Sequence, residues 1–381
     1  MGRHYLDHAS TTPVRPQARA AMAGWEDAGV TADPGRVHTE GRMVRAMLEE
    51  ARDQIAALFG VRSRQVVLTS GGTEAINTGV WGMTRADPGP VVCAAVEHSA
   101  ARDASERAAP VVPIAVDHRG RIEVEAVQAA VDRCQALHGR PPALVHCQWA
   151  NHEVGTVHPA AQVAERCSRL GIPLHVDAVA AAGHVPLDVE GLGADLVSVS
   201  AHKLGGPAGI GALIVRRGLR LEPWLVGGEQ ERARRAGLEN VLAAVGFGAA
   251  TAELAAPGVV DAEQEAARAH TDRLHRIAEK VEGVSVLGDP VDRLPHILCL
   301  GIEGVEAEPV LLGLDQAGIA VHSGSACSSE TLEPSPVLAA MGVDAERSLR
   351  ISVGWSTTEA DVDAFAAAFP RVVDELRELR R

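Results

Sequence analysis

Two residues with the chemistry to hold a cofactor follow two successive apolar segments of the chain. One segment ends at the carboxylate of Asp177, and the next is followed by Ser200, His202 and Lys203. The amine of a lysine can form a Schiff base with the aldehyde of pyridoxal phosphate (PLP), and a carboxylate can keep the pyridine nitrogen of PLP protonated. The two residues therefore indicate a PLP site. The plainer alternative is that Lys203 is one more solvated surface charge.

A candidate phosphate site precedes these residues. The apolar segment 65–69 is followed by the small-residue turn 70–74 and then by a predicted helix over 75–83. Free backbone N–H groups and the helix dipole point at such a turn, and both favour a bound anion. An ordinary strand-to-helix turn would have the same composition, but its place ahead of the Asp177 and Lys203 segments favours phosphate binding.

Cys327 differs from the other five cysteines in its surroundings. It lies in a run of small polar residues, 322–330, which is typical of a mobile loop. A thiolate there could attack a sulfur atom of a substrate, and the alternative is a surface cysteine without a role. The other five lie in apolar or helical segments, where burial makes thiols inert: Cys93, Cys134, Cys147, Cys167 and Cys299. No spacing among the six fits a zinc motif, so no metal site is predicted.

The alternation of apolar and amphipathic segments through residues 60–250 predicts the fold class. It is typical of an α/β domain in which helices sandwich a mostly parallel sheet. The segment Ala255-Ala256-Pro257-Gly258 is the best candidate linker. Beyond it the pattern predicts helices on an antiparallel sheet, which is a smaller α+β domain. The length of 381 residues is sufficient for both.

The composition is that of a soluble globular protein, with 46% hydrophobic residues, 23% charged residues and a net charge of −14. An acidic surface repels nucleic acid, so direct nucleic-acid binding is not expected. Residues 1–4 lead directly into a predicted strand, and no apolar run approaches the ~18 residues of a membrane span. We therefore expect a cytoplasmic protein with free thiols and no membrane association.

Short motifs along nearly the whole chain carry a family resemblance. They are Tyr5-Leu6-Asp7-His8-Ala9-Ser10-Thr11-Thr12-Pro13, Thr69-Ser70-Gly71-Gly72-Thr73-Glu74, Glu97-His98, Asn151-His152-Glu153-Val154-Gly155, the Asp177 and Lys203 segments, Ser323-Gly324-Ser325-Ala326-Cys327 and Leu349-Arg350-Ile351-Ser352. In this order they resemble the cysteine desulfurases, the NifS/IscS-like branch of the class-V aminotransferase family of fold-type I PLP enzymes. Each motif is weak alone, and the ordered set is specific.

The resemblance implies an organisation and a reaction. It implies a large PLP-binding domain over residues 14–255, with residues 1–13 and 256–381 forming a small domain that carries the Cys327 loop. The chain would act as a homodimer that converts L-cysteine to L-alanine. The sulfur would be transferred to Cys327 as a persulfide and then delivered to an acceptor protein of unknown identity.

The resemblance also implies a role for each site residue. Lys203, His98 and Cys327 would be catalytic, with Lys203 as the base at Cα and His98 stacking on PLP. Arg350 and Asn151 would bind the substrate, since a guanidinium suits a carboxylate. The cofactor contacts would come from Lys203, Asp177, Gly72, Thr73, Ser200, His202, His98 and His152.

Three positions depart from the pattern of the relatives. Relatives commonly have Asn where His152 stands and Gln where Ala180 stands, and both contact the phenolic oxygen of PLP. Relatives also often have Thr where Leu238 stands, and that Thr reaches the phosphate across the dimer interface. We predict that His152 compensates for the side chain missing at Ala180.

Two other functions remain open on the sequence. One is a PLP-dependent aminotransferase, or a selenocysteine or cystine lyase, of the same fold in which Cys327 is incidental. The other is a sulfur-relay scaffold with a degraded cofactor site, which the three departures would fit. The sulfur acceptor is equally open among an iron–sulfur scaffold, a tRNA-thiolation protein, a DNA-phosphorothioation partner and a biosynthetic carrier.

Overall fold

The computed structural model describes residues 2–323 and 334–379. The strands in these ranges, in chain order, are β1 (His4–Tyr5), β2 (Val66–Thr69), β3 (Val91–Ala94), β4 (Val111–Ile114), β5 (Leu144–His146), β6 (Leu174–Asp177), β7 (Leu196–Ser200), β8 (Gly211–Val215), β9 (Val284–Leu287), β10 (Ile297–Ile302), β11 (Ile319–Ala320), β12 (His322–Ser323) and β13 (Ser348–Ser352).

Helices connect most of these strands. In chain order they are α1 (Pro16–Asp27), α2 (Thr39–Leu58), α3 (Gly72–Ala86), α4 (Ser99–Ala108), α5 (Val124–His138), α6 (Ala160–Leu170), α7 (Val189–Leu192), α8 (Gln230–Ala233), α9 (Val241–Leu254), α10 (Val259–Ala278), α11 (Ala307–Gln316), α12 (Pro336–Ala340) and α13 (Glu359–Glu378).

The large sheet has seven strands in the order β2-β8-β7-β6-β5-β3-β4. β8 runs antiparallel to both of its neighbours, and the other pairs are parallel. The strands are buried and rich in Val, Leu and Ile, as expected for a sheet covered by helices on both faces. The carboxyl ends of the parallel strands therefore meet at one edge, where such sheets bind ligands.

The second sheet is antiparallel and has the order β12-β13-β10-β9. The N-terminal segment belongs to this part of the molecule, because β1 pairs in parallel with β11. A separate buried cluster, which includes Leu6, Leu300, Leu349 and Phe365, packs the sheet against α10, α11 and α13. The boundaries of the two domains, at residues 13/14 and 255/256, stay a prediction.

Most predicted elements are present, and their ends differ by a few residues. The largest functional difference is at α3, which begins at Gly72 rather than at the predicted residue 75. The small residues of the turn are therefore the first turn of the helix itself. β5 has only three residues, and beyond it the backbone N–H of Trp149 donates to the carbonyl of Asp177 at 2.7 Å.

Helices α9 and α10 meet at the predicted linker. In the described part of the chain, no single helix has the length and apolar composition needed to cross a membrane. The pair α9 and α10, bent by 81°, meets that test when the two helices are taken together.

Candidate active site

A cavity of about 240 Å³ lies at the carboxyl ends of β6 and β7. Apart from Asn151, every described residue predicted to form the site lines this cavity: Gly72, Thr73, His98, His152, Asp177, Ser200, His202, Lys203 and Arg350. Residues that are far apart in the sequence thus share one space because the strand ends and the β13 segment converge on it.

Asp177 is the last residue of β6 and is buried. Its Oδ1 accepts a hydrogen bond from the backbone N–H of Val179 at 2.9 Å. Burial raises the pKa of Asp177, and the charge of His98 is the largest influence that opposes this rise. A carboxylate in this position is stabilised in its charged form by a nearby cation, such as a protonated ring nitrogen.

Lys203 is the last residue of the short 3₁₀ turn that follows β7. Its Nζ donates a hydrogen bond to the carbonyl of Ala9 and faces the same cavity as Asp177. The two functional groups come together because β6 and β7 are parallel neighbours, with Asp177 opposite Ser198. Lys203 is therefore not an isolated surface charge.

The start of α3 forms another wall of the cavity. A Cβ atom at residue 72 would lie 2.7 Å from Cγ2 of Val179, so glycine is needed for the helix to approach this closely. Beside this helix start, Ser200 Oγ and His202 Nδ1 are hydrogen-bonded at 2.9 Å. Burial, and then the charge of Lys203, lower the pKa of His202 to about 4, so its ring is neutral at pH 7. Helix N–H groups, a hydroxyl and an imidazole together make an anion site.

His98 and His152 contact each other at the cavity wall. Their ring centroids are 5.0 Å apart in an edge-to-face arrangement. The Nδ1 of His98 accepts the backbone N–H of Ala100 at 3.0 Å, which caps α4. Because Nδ1 is an acceptor here, the ring proton of neutral His98 is on Nε2. The other edge of His98 is thus a defined donor.

Arg350 lies in the middle of β13 and is buried. Its Nη2 is 3.0 Å from Oδ1 of Asp7, and its Nη1 donates to the carbonyl of His152 at 3.1 Å. Its buried Nε has no hydrogen-bond partner among the described residues. The guanidinium is oriented by these contacts and still has donor capacity for a carboxylate.

Asn151 is placed differently from its prediction as a substrate contact. It is fully buried and does not line the cavity. Its Nδ2 donates to the carbonyl of Val96 at 3.0 Å, and its Oδ1 accepts the backbone N–H groups of Glu153 and Val154 at 2.8 and 2.9 Å. The amide thus holds the loop that carries His152, and a contact between Asn151 and the substrate stays a prediction.

The predicted nucleophile Cys327 lies outside the described residues. The five described cysteines are all buried, and burial raises the pKa of each: Cys93, Cys134, Cys147, Cys167 and Cys299. High thiol pKa values keep these sulfurs protonated at pH 7, so none of the five is an activated nucleophile.

A family model described as aminotransferase class-V matches residues 4–365. The chain belongs to the class-V aminotransferase family. The match includes all the residues predicted to form the site.

Curated proteins and solved structures agree with this family. A cysteine desulfurase of Cereibacter sphaeroides is 40% identical, over 100% of this chain and 98% of that relative. The X-ray structure of a NifS-like protein from Rickettsia africae ESF-5 has a TM-score of 0.88 at 29% identity, over 98% of this chain and 99% of that one. A structure titled SspA in complex with cysteine has a TM-score of 0.78 at 26% identity, over 92% and 99% of the two chains.

These comparisons confirm the predicted family, fold class and PLP-dependent class of enzyme. They support the desulfurase interpretation over the alternatives of an aminotransferase, a lyase or a scaffold.

The residues around the cavity fit the cofactor of this family. A buried carboxylate, an amine and an anion site at a helix N-terminus match the ring nitrogen, the aldehyde and the phosphate of PLP respectively. The site is therefore not a degraded one.

Glu97 lies next to the site, near Asp177 and beside His98 in the chain, and the predicted site did not include it. It is buried, its Oε1 accepts the backbone N–H of Gln148 at 2.6 Å, and its Oε2 has no partner among the described residues. Burial and the nearby Asp177 raise the pKa of Glu97 to about 8, so it is mostly protonated at pH 7. The Glu97-His98 motif was the available signal, but only the histidine has an evident chemical role in the sequence.

Of the three positions that differ from the relatives, two line the cavity and one lies on the surface. Ala180 and His152 line the same cavity, as the compensation hypothesis requires, and that hypothesis stays a prediction. Leu238 is 63% exposed. It follows Arg235, whose Nε is 2.8 Å from Oε1 of Glu74 in the first turn of α3.

Proposed function

We propose that this chain is a cysteine desulfurase that converts L-cysteine to L-alanine and transfers the sulfur to Cys327 as a persulfide. One observation carries the proposal: a buried carboxylate, an amine and a buried guanidinium, from Asp177, Lys203 and Arg350, face one cavity. These are the groups needed for the cofactor ring, the cofactor aldehyde and the substrate carboxylate.

The large sheet supplies the cofactor contacts. Lys203 Nζ would hold the aldehyde carbon, and Asp177 would hold the ring nitrogen in its protonated state. Gly72, Thr73, Ser200 and His202 would hold the phosphate at the start of α3. Bound PLP supplies an electron sink that makes the Cα–H of an amino acid acidic.

Lys203 is also the residue placed to move the Cα proton. Its amine faces the cavity from the turn after β7, and Nζ is a suitable general base once it is neutral. His98 would lie against the cofactor ring, and its Nε2–H is a proton donor in the same cavity.

Arg350 would orient the substrate. It is held by Asp7 and by the His152 carbonyl, so its guanidinium is ordered before the substrate binds. A substrate carboxylate bound to Arg350 would share the cavity with Lys203, which would then face the amino group of the substrate.

The sulfur step needs no external oxidant. The thiolate of Cys327 attacks the Sγ of the substrate, a new S–S bond forms, and the substrate C–S bond breaks. The electron pair of that bond stays with the substrate carbon, which takes up a proton. L-cysteine and a thiol thus give L-alanine and a persulfide, with atoms and electrons balanced.

A homodimer is part of this proposal. Trp224, Leu225, Val226 and Leu238 are exposed to between 41% and 73%. The backbone N–H of Ala236 donates to the carbonyl of Leu225 at 3.0 Å, so the two segments form one apolar patch. A patch of this kind supports burial against a second copy. We further propose a cytoplasmic location, an acceptor protein for the persulfide, and the Cys327 loop as part of a small domain made of residues 1–13 and 256–381.

Trapping of the sulfur tests the proposal. The purified protein, loaded with PLP and treated with L-cysteine, should release alanine and gain one sulfur atom on Cys327, detected by mass spectrometry after alkylation. Formation of pyruvate or free sulfide without labelling of Cys327 would favour a lyase instead.

A further inference from the structure

His184 and His296 form a stacked pair behind Lys203. Their ring centroids are 3.6 Å apart and their planes differ by 16°. His296 is buried, and His184 is half-buried. The sequence analysis gave neither residue a role, and neither lines the cavity.

His184 is bonded directly to the backbone of the cofactor lysine. Its Nε2 is 3.0 Å from the carbonyl oxygen of Lys203. A carbonyl only accepts, so Nε2 is the protonated ring nitrogen. The hydrogen bond fixes the 3₁₀ turn that sets the direction of the Lys203 side chain.

The backbone of His296 is bonded to the residue that follows the strand of Arg350. His296 immediately precedes β10, which pairs antiparallel with β13. Its carbonyl accepts the backbone N–H of Val353 at 3.0 Å, just beyond the end of β13. The stack therefore joins the turn of Lys203 to the sheet of Arg350.

The surroundings keep both rings uncharged. The charged or ionisable neighbours that act on them are His8, Arg15, Lys203 and Arg350, and all of these disfavour a charged ring. The hydrogen bond of His184 to the Lys203 carbonyl opposes the shift in the pKa of His184 but does not outweigh burial. Burial first, and then these neighbours, lower the pKa of His296 far below its usual value. Burial also lowers the pKa of His184 to about 4. Two neutral rings can stack without repulsion, whereas two charged rings could not.

We propose that His184 and His296 are positioning residues, and that their stack fixes the Lys203 backbone relative to the strand that carries Arg350. The pair takes no proton from the substrate. It sets the distance between the amine that holds the cofactor and the guanidinium that holds the substrate. The inference rests on the proposed function for the roles of those two groups.

A second buried histidine pair provides a matched control. His146 and His175 lie in β5 and β6, with Nδ1 atoms 2.9 Å apart and ring centroids 4.9 Å apart. His175 Nε2 is 2.8 Å from Ser198 Oγ, and neither ring lines the cavity. This pair holds neighbouring strands of one sheet together and does not bond to Lys203.

The test compares His296→Ala, His296→Phe and His146→Ala. The readouts are the Kd of PLP from absorbance titration, the KM and kcat for L-cysteine, and the Tm. His296→Ala should weaken PLP binding and raise KM by roughly tenfold each, as expected when reacting groups are misplaced. His296→Phe keeps an aromatic face on His184 and should restore most of both losses. His146→Ala should lower the Tm with little change in the Kd of PLP.

The outcomes separate this inference from the proposed function. Unchanged PLP affinity and KM in His296→Ala, with only a lower Tm, would overturn the positioning role. So would a failure of His296→Phe to recover function. Wild-type protein that binds no PLP would instead overturn the proposed function. If His296→Ala does not fold, His296→Asn removes the stack with a smaller change in polarity and is judged by the same criteria.

Discussion

The two sides of the cavity are built in different ways. The cofactor side comes from one sheet, where Asp177 and Lys203 follow neighbouring parallel strands. The substrate side comes from the second sheet, where Arg350 lies on β13 and is braced by Asp7 from the N-terminal segment. One side is a rigid sheet edge, and the other depends on how two sheets are held together.

This difference separates two kinds of defect. Changes on the large-sheet side should alter the cofactor itself, and changes on the small-sheet side should alter substrate use with the cofactor intact. Only residues that bridge the sides, such as His184 and His296, should alter both. The predictions below test this division in order of decreasing effect.

The largest effect is expected for Lys203→Ala. Without the amine, PLP has no covalent attachment, so the purified protein should be colourless or hold PLP only non-covalently. The check is borohydride reduction of the wild-type protein followed by digestion and mass spectrometry. Reduced PLP attached to a different lysine would contradict the assignment.

Arg350→Lys should impair substrate binding on the other side of the cavity. A lysine keeps the charge but cannot form a bidentate pair with a carboxylate. The loss of charged hydrogen bonds, about 2 kcal/mol, predicts a rise in KM for L-cysteine of roughly 30-fold. The absorbance spectrum and Kd of bound PLP should match the wild type. A large change in PLP affinity would contradict the hypothesis that the substrate side and the cofactor side act separately.

Glu97, which lies near Asp177, should make the stability of the protein depend on pH. Glu97→Gln should remove that dependence. The pKa of Glu97 is raised from 4.5 to about 8 in the folded chain. Folding therefore retains a proton that the unfolded chain releases, and stability is lost as the pH rises from 4.5 to 8. Glutamine cannot ionise, so the free energy of unfolding of Glu97→Gln should rise by roughly 4 kcal/mol relative to wild type on going from pH 5 to pH 9. The check is urea unfolding at both pH values, and parallel curves for the two proteins would contradict it.

The smallest effect is expected at His152 and Ala180. If His152 replaces a missing amide, His152→Ala should weaken PLP retention by about one hydrogen bond, roughly fivefold. Ala180→Gln should be tolerated, because it restores a polar group on the same wall. An unchanged spectrum, PLP affinity and rate in His152→Ala would show that no compensation takes place.

The sequence predicted the cofactor side well because its signals are local. Each apolar segment predicts a strand from its own residues, and Asp177 and Lys203 stand at or just after the ends of two such strands. The β13 residue Arg350 was found only through a motif, since nothing local shows that it pairs with Asp7. Asn151 was predicted to contact the substrate, and that role stays a prediction. In the structure its amide is bonded within the protein, which could not be predicted because a motif gives the residue but not the direction of its side chain.

Burial accounts for the remaining differences. Glu97, His184 and His296 lie in different parts of the chain, and their chemistry depends on neighbours that only the fold supplies. A carboxyl group with a pKa of about 8 has the same sequence signature as an ordinary surface glutamate. The stacking of His184 and His296 could not be predicted from the sequence either, since the two residues are far apart in sequence and belong to no motif.

The most direct test of the account is a comparison of wild type with Cys327→Ser, both loaded with PLP and given L-cysteine under reducing conditions. Both proteins should bind PLP and show a change in absorbance with substrate, because the cofactor side is intact in each. Wild type should release alanine, whereas Cys327→Ser should release almost none, because a hydroxyl is a poor acceptor of sulfur. Cys93→Ala serves as the control and should retain turnover. Full alanine production by Cys327→Ser would contradict the desulfurase mechanism and show that the sulfur leaves without this nucleophile.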